Sequence, residues 1–209
     1  MKKLFSALAA AAVLTAVSFA TPAAAQAEKA ELLRDANVTV NHLKSDPAFA
    51  AAARMMRNAR AVLIIPHLVK GGFIFGAEGG SGVLVRRAGN GWGDPKFYDM
   101  ASASFGLQAG LQKAELIFII NSQRALDGIE AGNFKIGAQA GITVVNLSSG
   151  AEGATTARGG DIVVWTSGTG LFGGLAFNGS VISPDRDWNA SANPAAETRA
   201  LRANLASVR

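Results

Sequence analysis

Apolar residues at Leu32, Leu33, Ala36, Val40 and Leu43 recur at helical spacing and predict an amphipathic helix over Glu28 to Lys44. Val38, Thr39 and Val40 weaken its intrinsic propensity. Asp46-Pro47 reads as the N-cap and first helical residue of a shorter helix, from Pro47 to about Asn58. The pattern then changes period. Ala61 to Ile65 is a continuous apolar run stopped by Pro66, which predicts a buried strand. Glu115 to Asn121, with the run Leu116 to Ile120, and Asp161 to Thr166 predict two more strands. Ser122 to Ala131 reads as a short helix with Ser122 as cap and Gly132 as stop. In the tail, Asn193 to Arg209, Leu201, Leu205 and Val208 share one helical face and Arg199, Arg202 and Arg209 lie off it. That narrow stripe predicts docking on the sheet in preference to lying on a membrane.

Glycine organises the middle of the chain. Lys70 to Arg87 and Thr169 to Ser183 align as near-copies, each reading as strand, glycine-rich bend, strand. Glycine within strands marks bulges, bends or close approach of another backbone. Ser104 to Gln112 and Phe134 to Val145 alternate apolar and polar positions, and each carries a Gly-Gln-Gly face on which a protein segment or a ligand would pack. Gly89 to Asp94 is a turn cluster, Phe97-Tyr98 starts another extended piece, and Ser148 to Gly160 is a polar loop. These elements predict an α+β fold: a strongly bent, mainly antiparallel β-sheet or barrel with flanking N- and C-terminal helices.

About half of the 209 residues are apolar, enough for one sizeable core. The N-terminus has the form of a targeting segment: Lys2 and Lys3, an apolar stretch from Leu4 to Ala20, and small residues around Ala25 for cleavage. Residues 1–25 are therefore expected to be a signal peptide, and 26–60 a helical segment sharing one compact domain with 61–209. An exported, periplasmic or secreted protein is implied, with peripheral membrane association open to it. Loss of the two lysines lowers the formal net charge from +5 to +3. That balance and the export signal argue against a nucleic-acid partner.

Candidate chemistry is sparse. There is no cysteine, and His42 and His67 make no zinc spacing. Gly168 to Gly173 fits GxGxxG, but a strand-like stretch follows where a phosphate-binding helix should begin. Gly79 to Val83 misses the nucleophile elbow at its last position. Glu78, Asp94, Asp99 and Asp161 would act together only if the fold gathered them. The expectation is a protein without catalysis, cofactor or metal. Basic residues are more suggestive. Lys70, Arg86 and Arg87 flank the first bend, with Lys96 and Lys113 on nearby segments. If gathered beside Phe73, Phe75 and Phe172, they would suit an anionic lipid; scattered solubilising charge is the alternative. Arg54, Arg57 and Arg60 recur every three residues and form either a solvated face or a phosphate-meeting strip.

The stretches from Ala59 to Arg87, Gly91 to Gln112, Ala125 to Gly141 and Val163 to Asn189 resemble the SYLF domain in the form found in exported bacterial proteins. Lys70-Gly-Gly-Phe73 and Gly170-Leu-Phe-Gly-Gly174 carry most of the likeness. The resemblance implies non-catalytic phospholipid or anionic-lipid binding at the bacterial envelope. By residue type it points to Lys70, Arg86 and Arg87, then to Arg54, Arg57 and Arg60. Eukaryotic members bind phosphoinositides and, in fungi, actin. The export signal argues against actin here, so an envelope phospholipid is the expected partner. A protein-interaction or scaffold module with an envelope protein partner is the alternative.

Overall fold

The computed structural model describes residues 22–72, 75–105, 112–136, 143–147, 160–167 and 179–208. Helix α1 (Pro22–Ser45) takes in the expected N-terminal helix, and Leu32, Leu33, Ala36, Val40 and Leu43 are all buried on its inner face. Its first turn lies where signal cleavage was expected. Helix α2 (Phe49–Asn58) begins two residues later than Asp46-Pro47 suggested. Asp46 still organises the entry: its carboxylate accepts from Ala48 N–H at 2.7 Å and its carbonyl from Phe49 N–H at 2.9 Å.

Among the described residues nine strands follow: β1 (Ala61–Gly72), β2 (Phe75–Ala88), β3 (Gly91–Trp92), β4 (Lys96–Phe105), β5 (Gln112–Ile120), β6 (Phe134–Lys135), β7 (Val144–Asn146), β8 (Ile162–Thr166) and β9 (Val181–Pro184). They form one sheet in the order β6-β9-β4-β2-β1-β5-β8-β7, with β3 added to β2. Every pairing among the described residues is antiparallel except β7 with β8. The sheet curls into a half-barrel flanked by the N- and C-terminal helices, so the α+β architecture is as expected.

Pro66 does not end β1. The pairing of β1 with β2 and with β5 slips by one residue between Ile64 and Val69, so the strand bulges at Pro66-His67 and continues. A bulge tolerates proline because the extra residue needs no ladder hydrogen bond. β1 and β2 therefore make one long hairpin, closing at the Gly72–Gly76 pair. The second glycine-rich unit and both Gly-Gln-Gly faces lie largely outside the described residues, as does the 148–160 loop except its last residue.

Both faces of the central strands are covered, which explains why they read as unbroken apolar runs. On one face Val62, Ile64, Val83, Val85, Ile117, Ile119, Val163 and Trp165 pack under α1, α2 and the C-terminal helix. On the other, Leu63, Ile65, Leu84, Leu116, Phe118, Ile120 and Val164 pack under helix α3 (Gln123–Glu130), whose Ala125, Leu126 and Ile129 are buried. α3 starts and stops as its sequence predicts. The Ser122 hydroxyl accepts from Ala125 N–H at 3.2 Å, and Gly132 takes the left-handed conformation after the helix at φ 86°. A single turn, α4 (Arg186–Asn189), leads to α5 (Ala195–Ala206). Leu201, Leu205 and Val208 are buried in the core shared with α1, so the C-terminal helix docks on the protein, as its narrow stripe predicted.

Candidate functional site

The basic residues divide between the two ends of the sheet. At one end β1 begins, β2 finishes and β4 begins; Ala61 lies opposite Arg86, Arg87 opposite Trp92, and Lys96 opposite Leu84. Lys70 lies opposite Glu78 and Gln112, near the hairpin's closed end. Nine residues of strand separate it from Ala61, a path of about 30 Å at the usual rise. The structure thus does not gather Lys70 with Arg86 and Arg87. The sequence placed all three around a bend, but the intervening glycines belong to a continuous strand. Lys113, opposite Val69, lies with Lys70 at the far end.

Arg86 and Arg87 also part company, because successive residues on a strand face opposite ways. Arg86 is about half exposed and pairs with Glu130 of α3 at 3.2 Å. Arg87 turns toward α2. Its guanidinium donates to the carbonyls of Met56, Ala59 and Arg57, the last two at 3.4 Å, satisfying groups left open at the helix's end. It also lies over the Trp92 ring at 3.8 Å. Burial pushes its pKa down from the usual arginine value. Arg87 is therefore a residue that holds α2 to the sheet.

Arg54 and Arg57 occupy the exposed face of α2, opposite buried Ala52, Ala53 and Met56; Arg60 is exposed just beyond the helix. Arg60 is fixed through its backbone, donating to Ile120 C=O at 2.8 Å and accepting from Arg87 N–H at 2.7 Å. None of the three side chains joins an ion pair among the described residues. The same end of the sheet carries Lys96 and, from α5, Arg202, which donates to Trp92 C=O at 2.7 Å and to Asp94 at 2.8 Å. This end, with α2, the β2–β3 turn and α5 around it, is the candidate anion-binding face. Phe73 and Phe172 lie outside the described residues.

The carboxylates of Asp94, Asp99 and Asp161 do not converge. Asp99 accepts from the Ser81 hydroxyl at 2.8 Å, Asp94 pairs with Arg202, and Asp161 meets Thr143 and Arg124. Among the described residues no three histidine or acidic side chains are grouped to hold a metal ion, and no helix is long and apolar enough to cross a membrane. The two histidines instead tie α1 to the sheet. His42 Nδ1 lies 2.8 Å from Glu115 of β5, and His67 Nε2 lies 3.1 Å from Asp35.

Residues 101–200 match the Ysc84 family, described as "Las17-binding protein actin regulator". Among curated proteins, the chain is similar to "Protein YSC84" of Saccharomyces cerevisiae (31% identity over 170 residues, 77% of this chain and 36% of the relative). It is also similar to "LAS seventeen-binding protein 3" of the same organism (29% over 170 residues, 77% of this chain and 37% of the relative). The human "SH3 domain-containing YSC84-like protein 1" is 28% identical over 149 residues, 70% of this chain and 43% of that protein. The chain spans less than half the length of the curated relatives it matches. No solved structure matches it. The family resemblance read from the glycine-rich motifs is thereby supported.

Proposed function

We propose that this chain is an exported, non-catalytic member of the Ysc84/SYLF family that binds anionic phospholipid at a bacterial envelope through the basic end of its sheet. The observation that supports this reading is the exposed arginine strip of α2. Arg54 and Arg57 project from an element anchored by Arg87, Arg60 is exposed just beyond it, and none of the three has an acidic partner among the described residues. Unpaired guanidiniums on a rigid face suit phosphate oxygens, which accept paired N–H donors. Each such residue near an anionic surface is worth about 1 kcal/mol, so three supply about 3 kcal/mol, roughly a hundredfold in affinity. The test is vesicle co-sedimentation of the chain from Gln26 onward, with zwitterionic or anionic phospholipid at low and high salt. Binding to anionic vesicles alone, fading with salt, is expected. Replacing Arg54, Arg57 and Arg60 with alanine should weaken it by about a hundredfold on the same arithmetic. Unchanged sedimentation of that variant would remove the strip from the lipid contact.

A second reading is a protein-interaction module, supported by the name of one yeast relative, LAS seventeen-binding protein 3, and by the description of the matching family as Las17-binding. The sheet offers a means, since among the described residues β6 and β7 are its outermost strands and an open edge can accept an added strand. A chain that captures one defined envelope protein and ignores every vesicle composition would favour this reading over the first.

A further inference from the structure

A groove of about 550 Å³ lies between the first turns of α5, the β3–β4 connection and the α4–α5 linker. Its walls include Asp94, Lys96, Asn193, Thr198, Arg199 and Arg202. α5 opens there without a cap: Pro194 at the N-cap position supplies no side-chain acceptor. The first N–H groups of the helix therefore have no acceptor within it, and they lie at the positive end of its dipole.

An independent observation points to an occupant. Thr198 is 6% exposed and lines the groove, yet its buried Oγ1 has no hydrogen-bond partner. Unpartnered buried hydroxyls are uncommon because each forfeits its hydrogen bond to water. The charge of the walls fits an anion. Lys96 and Arg199 are exposed and join no ion pair among the described residues. Arg202 is held in place by Trp92 C=O and Asp94. Asp94, the acidic residue in the wall, is already neutralised by that pair. Beneath the linker, outside the groove walls, the buried Lys29 ammonium donates to the Ser191 hydroxyl at 2.6 Å and to the Ser191 carbonyl at 3.2 Å and holds the linker in place.

We propose that this groove binds the phosphate group of a small organophosphate, with Lys96 and Arg199 neutralising its charge, the α5 N-terminal amides donating to its oxygens, and the unpartnered Thr198 hydroxyl turning about χ1 into the groove to join them. The volume exceeds that of bare phosphate and leaves room for a glycerol-sized substituent. A phospholipid headgroup and a soluble phosphate ester share this chemistry. The lipid form of the ligand rests on the phospholipid reading above; the affinity for phosphate does not.

The test is calorimetric titration of the full chain with sn-glycerol 3-phosphate, with glycerol as the neutral control. Saturable binding of the phosphate ester alone is expected. Lys96→Ala with Arg199→Ala should weaken it at least tenfold. Thr198→Val, nearly the same shape, should weaken it about threefold to tenfold for one lost hydrogen bond while leaving the melting temperature in place. No saturable heat up to about 10 mM ester, or wild-type affinity in the double variant, would overturn the proposal. A parallel arm uses phosphatidylglycerol vesicles. If the double variant loses both ligands, the natural source is a headgroup. If it loses only the ester, the groove serves a soluble phosphate and the lipid contact lies at α2. If vesicles bind, the ester does not and only the triple α2 variant matters, the groove is wrong and the phospholipid reading stands.

Discussion

Arg87 stacks on Trp92 with its guanidinium 3.8 Å from the ring centroid, and the same group reaches the carbonyls at the end of α2. A flat cation with several fixed donors is needed for both contacts, and lysine offers neither the plane nor the fork. Arg87→Ala is expected to cost about 2–3 kcal/mol, from lost charge-assisted hydrogen bonds and ring contact. Arg87→Lys should recover less than half of that. Denaturant unfolding of the three proteins checks it. A fully stable alanine variant would show that α2 needs no such tie.

Gly80 and Gly82 have their hydrogens where the bulge in β1 brings its backbone close. A Cβ on Gly82 would sit 2.5 Å from Ile64 C=O and 2.8 Å from Ile65 Cγ1, and one on Gly80 would collide with His67 C=O. Backbone atoms cannot move aside as a flexible side chain can, so overpacking of about 1–3 kcal/mol is expected for either Gly→Ala change. Gly91→Ala is the control, since its Cβ would meet nothing nearer than Ala88 C=O at 3.8 Å. Thermal melts in which all three variants behave alike would contradict the bulge geometry.

Tyr98, the chain's one tyrosine, is 3% exposed, and its pKa is pushed up to about 12, chiefly by burial and then by the Glu130 carboxylate, against the opposing pull of Arg86. The folded state thus prefers the neutral phenol. That contribution to stability is complete below the unfolded pKa of about 10 and is lost as pH rises through about 12. Absorbance of tyrosinate should rise near pH 12 in native protein and near 10 in denaturant. Arg86→Ala should move the native transition higher still. A native midpoint near 10 would mean the ring is open to water.

Local pattern carried most of the elements. α1, α3 and α5 were legible because their buried residues recur at helical spacing, and β5 and β8 because strands covered on both faces read as unbroken apolar runs. β1 was read short because proline usually ends a strand, and a bulge that admits it is visible only once both neighbouring strands are in register. The same error hid the site. Short strands around a bend would make Lys70 and Arg86 neighbours; in one long hairpin they lie at opposite ends. Thr198 carried no signal in sequence, since a threonine on a helix is ordinary until its surroundings leave the hydroxyl without a partner.

Asp161 joins three segments that the sequence leaves far apart. Its carboxylate accepts from Thr143 N–H at 2.9 Å and from the Thr143 hydroxyl at 3.1 Å, and Arg124 lies 3.5 Å away. Its pKa is lowered, first by the Ser122 hydroxyl and then by the Thr143 amide, with burial opposing. Ser122 accepts from the start of α3 through its hydroxyl and donates its backbone N–H to Asp161 C=O at 3.4 Å, so one residue couples the helix cap to the approach to β8. A carboxylate whose pKa is depressed by folding stabilises above its unfolded value and loses that contribution as pH falls through the folded one. Wild-type stability should therefore decline below about pH 4, where an unperturbed aspartate takes up its proton. Asp161→Asn keeps the shape without the charge. It should cost about 1–2 kcal/mol at neutral pH and show a flatter acid limb, so that the two proteins converge as pH falls. Denaturation midpoints from pH 7 to 3 measure this directly, using the reference aspartate pKa as the dividing line. A gap that stays constant over the range would assign Asp161 a shape role in place of a charge role.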